Sequence, residues 1–409
     1  MNIVILTIIL PYPLDSGGAQ AQYNMIDRLR RMHNITLVFP INEMNSVAAL
    51  NQSRDLWPDV DFRPYSYAKQ LANPEFFYSK AERFIKKTFM KNSERFQVER
   101  MLKPYGYSMD GRFVNFMNNI IAEKSADVVQ VEFYPYLSFV HKLPKNVRKI
   151  FIHHEIRYIR NKRLLANIRL LKKEANFMEE LRRKEIDDLN AYDAVVTLTD
   201  VDKNELTAAG VTTPILVSPA SINAELMKYS GWNGNITFLG GYSHTPNQEG
   251  MEWFVDKVMP LVDWSKYPNA KIQIVGGGWP ASYNNIEKPV TVQCRGFVKE
   301  LAPVAHGSIM IIPILSGSGM RMKILEAAAM GLPMVTTTVG VEGLLFQNGV
   351  ECMVADAPQD FAVALEKLMA NEELRAELTN NARELYEQKY SVEATSNVRN
   401  SVYMNSSKE

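Results

Sequence analysis

From Ile309 to Leu344 the chain reads IMIIPILSGSGMRMKILEAAAMGLPMVTTTVGVEGL, and few folds accept that order of residues. Ile309 to Ile314 is an unbroken apolar run, the mark of a strand covered on both faces. Gly317-Ser318-Gly319 then lets the backbone turn sharply and leaves amide groups available, with Met320, at the start of a helix. A helix N-terminus carries unsatisfied N–H groups and partial positive charge, so it attracts phosphate. Arg321 and Lys323 add two cations within the first turn, and Glu326 follows one turn on. Gly331-Leu332-Pro333 stops the helix and begins the next apolar strand. Cations for a diphosphate and a carboxylate for sugar hydroxyls, this close together, point to a nucleotide-sugar pocket.

These residues also carry a resemblance. GSGMRMKILEAAAMGLPMVTTTVGVEGL resembles the donor-site signature of the retaining glycosyltransferases of family 4 (glycosyl transferases group 1). NITFLGGYSHTPNQEGMEWF, KIQIVGGG and VQCRGFVKEL extend the likeness over most of residues 214 to 385. It implies an α/β chain of the GT-B kind, two Rossmann-like domains facing a cleft. The domains expected are 1–215 on the acceptor side and 216–385 for the nucleotide sugar, with a tail at 386–409 crossing back to the first. The family commonly has two glutamates separated by seven residues; Glu326 matches the second, and Ser318 stands at the first. The resemblance thus keeps the ribose contact and leaves the donor sugar open.

The totals exclude several classes. With 409 residues the chain is long enough for two domains, each with its own core. A net charge near +1 gives no global pull toward nucleic acid. Two cysteines, Cys294 and Cys352, cannot build a disulfide framework and do not stand at metal-ligand spacing. A reducing cytoplasm is the expected compartment. The apolar opening NIVILTIIL lacks a basic flank and a cleavage site, and is too short to span a bilayer, so it reads as the first strand.

Strand one is expected over Asn2–Leu10, followed by a loop ending in Gly17-Gly18 and a helix marked by Gln22, Met25, Ile26 and Leu29. A glycine loop between first strand and first helix is the doubly wound theme, although the same pair also serves plain tight turns. The resemblance implies that Gly17 and Gly18 approach the donor. Strands are expected at Ile35–Phe39, Asp127–Phe133, Lys149–His154 and Ala194–Leu198, and a basic helical piece at Lys80–Lys103. His153-His154-Glu155 closes one of these strands, where α/β folds place ligands; a solvated strand end is the plainer alternative. By resemblance His154, or else His153, lies near the sugar or the acceptor hydroxyl, with Glu155 beside them. Adjacent side chains on a strand point to opposite faces, which argues against zinc.

Arg157 to Lys173 holds seven Lys or Arg and no acid, interleaved with Ile159, Leu164, Leu165, Ile168 and Leu171. Such a helix either rests on an anionic membrane, placing the protein on the inner face of the plasma membrane, or buries its stripe in the core. Ala224–Asn233 reads as the linker. Beyond it come strands at Asn235–Leu239, Lys271–Val275, Val290–Cys294 and Ile309–Ile314, Gly240-Gly241 after the first, and a helical stripe at Met251, Phe254, Val255, Val258, Met259 and Val262. Helices at Phe361–Leu368 and Glu373–Tyr390 precede a polar tail from Ser391 to Glu409, expected to fray at its end.

For glycosyl transfer, Arg321 and Lys323 are the candidates for the diphosphate, with amides at Gly240, Gly241 and Ser318–Met320, and Glu326 for the ribose. Arg295-Gly296-Phe297-Val298 resembles the family's base-reading segment; a plain strand-to-helix turn is the alternative. The resemblance implies a glycan or lipid-linked acceptor in surface-polysaccharide assembly, retention of configuration without an enzyme nucleophile, and neither cofactor nor metal. A sugar-nucleotide epimerase would carry other acids and histidines. A dehydrogenase is disfavoured because GGAQAQ is not G-x-G-x-x-G. Ser318 leaves a non-catalytic nucleotide-sugar-binding protein open.

Overall fold

The computed structural model describes residues 1–12, 17–41, 46–66, 98, 101–102, 111–166, 168–222, 226–287, 289–298, 300–317 and 320–404. Most of the expected basic piece at 80–103 lies outside these residues, as do Ser318 and Gly319. Contacts divide the chain into two units, Met1–Pro219 with Ser396–Glu409, and Ala220–Thr395.

The first unit is built on a parallel sheet of β1 (Asn2–Leu6), β2 (Asn34–Ile41), β3 (Asp61–Ser66), β4 (Val128–Glu132), β5 (Arg148–His153), β6 (Ala194–Thr197) and β7 (Ile215–Val217), ordered β3-β2-β1-β4-β5-β6-β7. Side chains alternate between faces, and both faces are covered. Val4, Leu6, Val129, Val131 and Phe151 join one apolar cluster with Phe113 and Met117. Ile3, Ile5, Leu37, Phe39, Ile150 and Ile152 join another with Ile26, Leu29, Val402 and Tyr403. The strand order reverses between β1 and β4, so the helices after those strands part to opposite sides and leave a crevice at the strand ends.

The second unit repeats the scheme with β8 (Asn235–Leu239), β9 (Lys271–Val275), β10 (Thr291–Gly296), β11 (Ile309–Ile312), β12 (Met334–Thr336) and β13 (Met353–Val354), ordered β10-β9-β8-β11-β12-β13. Here the reversal falls between β8 and β11. Ile236, Phe238, Ile272, Ile274, Ile309 and Ile311 face one cluster, and Leu239, Val275, Met310 and Ile312 face the other. The helix Thr245–Trp253 lies against the sheet so closely that a Cβ on Gly250 would fall 2.1 Å from the Pro313 carbonyl oxygen. The stripe from Met251 to Val262 buries as expected, but the helix loosens into a π turn at Phe254–Val258 and a 3-10 turn at Met259–Leu261.

Two expectations are corrected. The first strand stops at Leu6 rather than Leu10, because the Thr7 hydroxyl accepts the Ile9 N–H at 3.3 Å and bends the chain. Residues 157–173 are not one helix: Arg157–Leu164 is followed by a turn, and a second helix, Lys172–Leu189, starts where Glu174 accepts from the Leu171 N–H at 2.7 Å. Leu165 is drawn into a small cluster with Leu181, and the Arg157 guanidinium lies 4.6 Å over the Tyr134 ring. The end of the tail, where fraying is expected, lies outside the described residues. Val392–Met404 is a helix whose Arg399 donates from Nε to Ser218 Oγ at 3.0 Å, while Val402 and Tyr403 are buried in the first unit's core.

Candidate functional site

In the second unit the site begins where β8 ends. Gly240 takes φ +156°, its N–H donates to Val275 O at 2.8 Å, and its carbonyl accepts from Trp279 Nε1 at 2.8 Å. A Cβ there would lie 2.6 Å from Asn247 Nδ2, so the turn admits no side chain. Asn247, buried in the first turn of the helix Thr245–Trp253, donates from Nδ2 to Gly241 O at 2.8 Å. Its Oδ1 accepts from Lys323 Nζ at 3.0 Å. One side chain therefore fixes both the glycine turn after β8 and the lysine that follows β11.

Lys323 stands in the first turn of the helix Met322–Ala329, half-buried, its ammonium 5.8 Å from the Phe238 ring centroid. Burial holds its pKa below the ordinary lysine value; Glu326 opposes that shift and Arg321 adds to it. A partly desolvated cation at a sheet's switch point has much to gain from an anion. Glu326 is partly buried one turn further on. Arg321 is less available: its side chain is 9% exposed, Nε donates to Val339 O at 3.2 Å, and the guanidinium lies 3.6 Å from Glu342 Oε2. Gly317 precedes these residues with φ +118°, and Met320 packs against the unit's apolar core.

Of the candidate base-reading residues, Arg295 is exposed, Phe297 is 76% exposed, and Val298 rests on the apolar core. They close or follow β10, which is separated from β8 by β9, so their side chains are not part of the Asn247–Lys323 cluster.

In the first unit the crevice at the reversal gathers different chemistry. The helix Gly17–Leu29 follows β1, and a Cβ on Gly18 would touch the Phe133 ring at 3.5 Å. Phe133, at φ +66°, follows β4 and stacks on the His154 ring with centroids 4.2 Å apart. His154 is 14% exposed, and its Nε2 meets Glu132 Oε2. The buried Glu132 carboxylate can only accept when ionised, so His154 Nε2 carries the hydrogen, and in the neutral ring Nδ1 is the acceptor.

His153 is not brought to this crevice. It is buried, with Nε2 3.1 Å from Glu185 Oε1, and Glu185 also accepts from the Arg157 and Tyr158 N–H groups at 3.1 and 3.2 Å. That arrangement caps a helix start inside the core. Glu155 Oε2 pairs with Arg160 at 3.0 Å. Sequence reasoning missed Asn247, Glu132 and Phe133; an acid closing the apolar run VVQVE was the available signal for Glu132. Among the described residues, no three His, Cys, Asp or Glu side chains group to hold a metal ion, and no helix is long and apolar enough to cross a membrane.

Comparisons with known proteins bear on both units. Residues 233–371 match the model of the family described as Glycosyl transferases group 1. An uncharacterized 44.6 kDa protein in a cps region of Klebsiella pneumoniae is 25% identical over 172 residues. That match takes in 40% of this chain and 44% of the Klebsiella protein, less than half of its length. Anabaena Alr3699/HepE, solved in complex with UDP, superimposes with a TM-score of 0.68 at 12% identity, covering 99% of this chain and 100% of that one. Sucrose-phosphate synthase from Thermosynechococcus elongatus gives 0.68 at 14% identity, covering 99% and 98%. TarM gives 0.64 at 12% identity, covering 99% of each. The α/β architecture of two parallel sheets is that of the GT-B glycosyltransferases.

Proposed function

With residues 233–371 a glycosyl transferases group 1 domain on a GT-B fold, we propose that the protein moves a sugar, with retention, from a nucleotide sugar to a glycan or lipid-linked acceptor. The observation that carries this reading is the clamp Gly241–Asn247–Lys323, which presents a desolvated cation beside a glycine turn at the β8/β11 reversal. The UDP bound to HepE supports a uridine diphosphate donor, and the cps-region relative supports an acceptor in surface-polysaccharide assembly.

In the reaction the bond from the anomeric carbon to the diphosphate breaks and a bond to the acceptor oxygen forms on the same face. The acceptor proton passes to the departing phosphate oxygen. Charge grows on the diphosphate as it leaves, and a preorganised cation stabilises that charge most where water is thin. Lys323 supplies it, Glu326 accepts from the ribose hydroxyls, and backbone around Phe297 and Val298 reads the base. His154, backed by Glu132, receives a hydroxyl of the sugar or acceptor. No enzyme nucleophile and no metal are required. The exposed Lys162, Arg163, Lys172 and Lys173, with Leu171 46% exposed among them, support peripheral contact with an anionic membrane.

The test is a thermal-shift panel of UDP, GDP, ADP and CMP with their sugar conjugates, followed by transfer assays with the series that binds. A ligand that binds only the folded state raises the melting temperature by mass action. A shift confined to one nucleotide series, with sugar transfer to an acceptor, supports the reading; no shift from any of them overturns it.

A further inference from the structure

The Glu132 carboxylate that holds His154 is itself held from behind. Gln130, two residues earlier on β4 and on the same side of the strand, donates from Nε2 to Glu132 Oε1. Gln130 Oε1 in turn accepts from the Tyr403 hydroxyl. All three side chains are buried, so the line from Tyr403 to His154 runs through the core of the first unit without solvent to replace a lost partner. Its direction is fixed at the carboxylate end: an ionised carboxylate only accepts, which turns the Gln130 amide nitrogen toward Glu132 and leaves the amide oxygen to accept from the Tyr403 hydroxyl. The charged groups on the line are Glu132 on β4, His154 after β5, and Arg399, one turn before Tyr403, which is itself fastened to Ser218 at 3.0 Å. Burial raises the Tyr403 pKa, so the phenol keeps its proton throughout the neutral range.

We propose that Tyr403 and Gln130 are positioning residues for His154: by orienting the Glu132 carboxylate they hold the imidazole in the Nε2–H tautomer and leave Nδ1 to accept from a substrate hydroxyl. The proposal rests on the transfer reaction above for its consequence, but not for its physical content. A histidine whose backing carboxylate can rotate samples both tautomers, and only one of them offers an acceptor on the open side. A helix more than two hundred residues away in sequence thereby sets the protonation pattern at the end of β5.

The experiment is nitrogen-15 NMR of ring-labelled histidine in the full chain, with the His154 signal assigned by its loss in His154→Asn. Tyr403→Phe keeps the ring and removes only the hydroxyl; Gln130→Met is the second variant, for use if the first lowers the melting temperature. In the unaltered protein the His154 signals should report the Nε2–H tautomer. In either variant they should move toward a mixture, and the titration midpoint should shift. Transfer should fall about fivefold, the factor for one lost hydrogen bond, with its pH profile displaced and the thermal response to nucleotide unchanged. Identical tautomer and titration in the unaltered protein and a folded variant would overturn the proposal. If the unaltered protein binds no nucleotide and transfers no sugar while the NMR differences persist, the functional reading fails and the positioning line stands.

Discussion

Replacing Lys323 with Met separates binding from stability. The substitution keeps the length of the side chain and removes its charge. In the folded protein Lys323 gives one hydrogen bond to Asn247 Oδ1 at 3.0 Å, and losing it costs about 1 kcal/mol. Against that, the native state no longer shelters a partly desolvated ammonium, and relief of that desolvation offsets the lost bond. The melting temperature should therefore hold or rise. Nucleotide affinity should do the opposite. A hydrogen bond from a cation to phosphate contributes about 1.5–3 kcal/mol, which corresponds to about 12- to 150-fold weaker binding of UDP. The sign of the pH effect follows from the lowered lysine pKa. Between that value and the ordinary 10.5 the unfolded chain binds more protons, so stability rises with pH across the window, and Lys323→Met should abolish that rise. A diphosphate pulls the pKa back up, so binding in the same window should take up a proton. Titration calorimetry in two buffers of different ionisation enthalpy measures both affinity and proton uptake. Unchanged UDP affinity in the folded Met variant, or no proton uptake by the unaltered protein at alkaline pH, refutes the reasoning.

Other expected outcomes concern packing and surface charge. Gly250→Ala puts a methyl group 2.1 Å from the Pro313 carbonyl and should destabilise by about 2–4 kcal/mol, read by denaturant titration; a loss under half a kcal/mol would contradict the close approach. Glu185→Gln removes a buried charge that accepts from His153 and two backbone amides, and should lower stability by about 2 kcal/mol without altering nucleotide affinity. Sedimentation with anionic vesicles should carry the protein down at low salt and release it at high salt. Replacing Lys162, Arg163, Lys172 and Lys173 with Gln should abolish the effect, and salt-independent or absent binding would retire the membrane contact.

The parts legible in the sequence are those whose cause is local. Asn235–Leu239 and Lys271–Val275 begin and end where the apolar runs do, because central parallel strands are covered on both faces. β3 escaped notice because DFRPYS carries a proline and polar groups, which an edge strand tolerates and a central one does not. The break after Leu164 was hidden because the periodicity of leucines runs on past it, whereas the pull of Leu181 on Leu165 is a tertiary fact. At the site, the glycine turn and Lys323 could be read from spacing, while Asn247, which joins them, could not, since its partners lie 6 and 76 residues away. His153 and His154 look equivalent in sequence. Strand alternation sends one to Glu185 in the core and the other to Glu132 at the crevice.

That division of labour makes a last prediction. The cation belongs to the second unit's reversal and the carboxylate-backed histidine to the first's. Energies of sites without shared partners add, whereas groups acting in one step do not. In nucleotide binding, Lys323→Met should carry the whole loss, His154→Ala none, and the double variant should match Lys323→Met to within about 0.5 kcal/mol. In transfer, both single variants should be slow, and the double variant should be faster than the product of the two losses would give, because each already impairs the same transition state. Weakened UDP binding in His154→Ala would place the histidine in the donor pocket instead, and strictly multiplicative transfer rates would deny that the two clusters serve one chemical step.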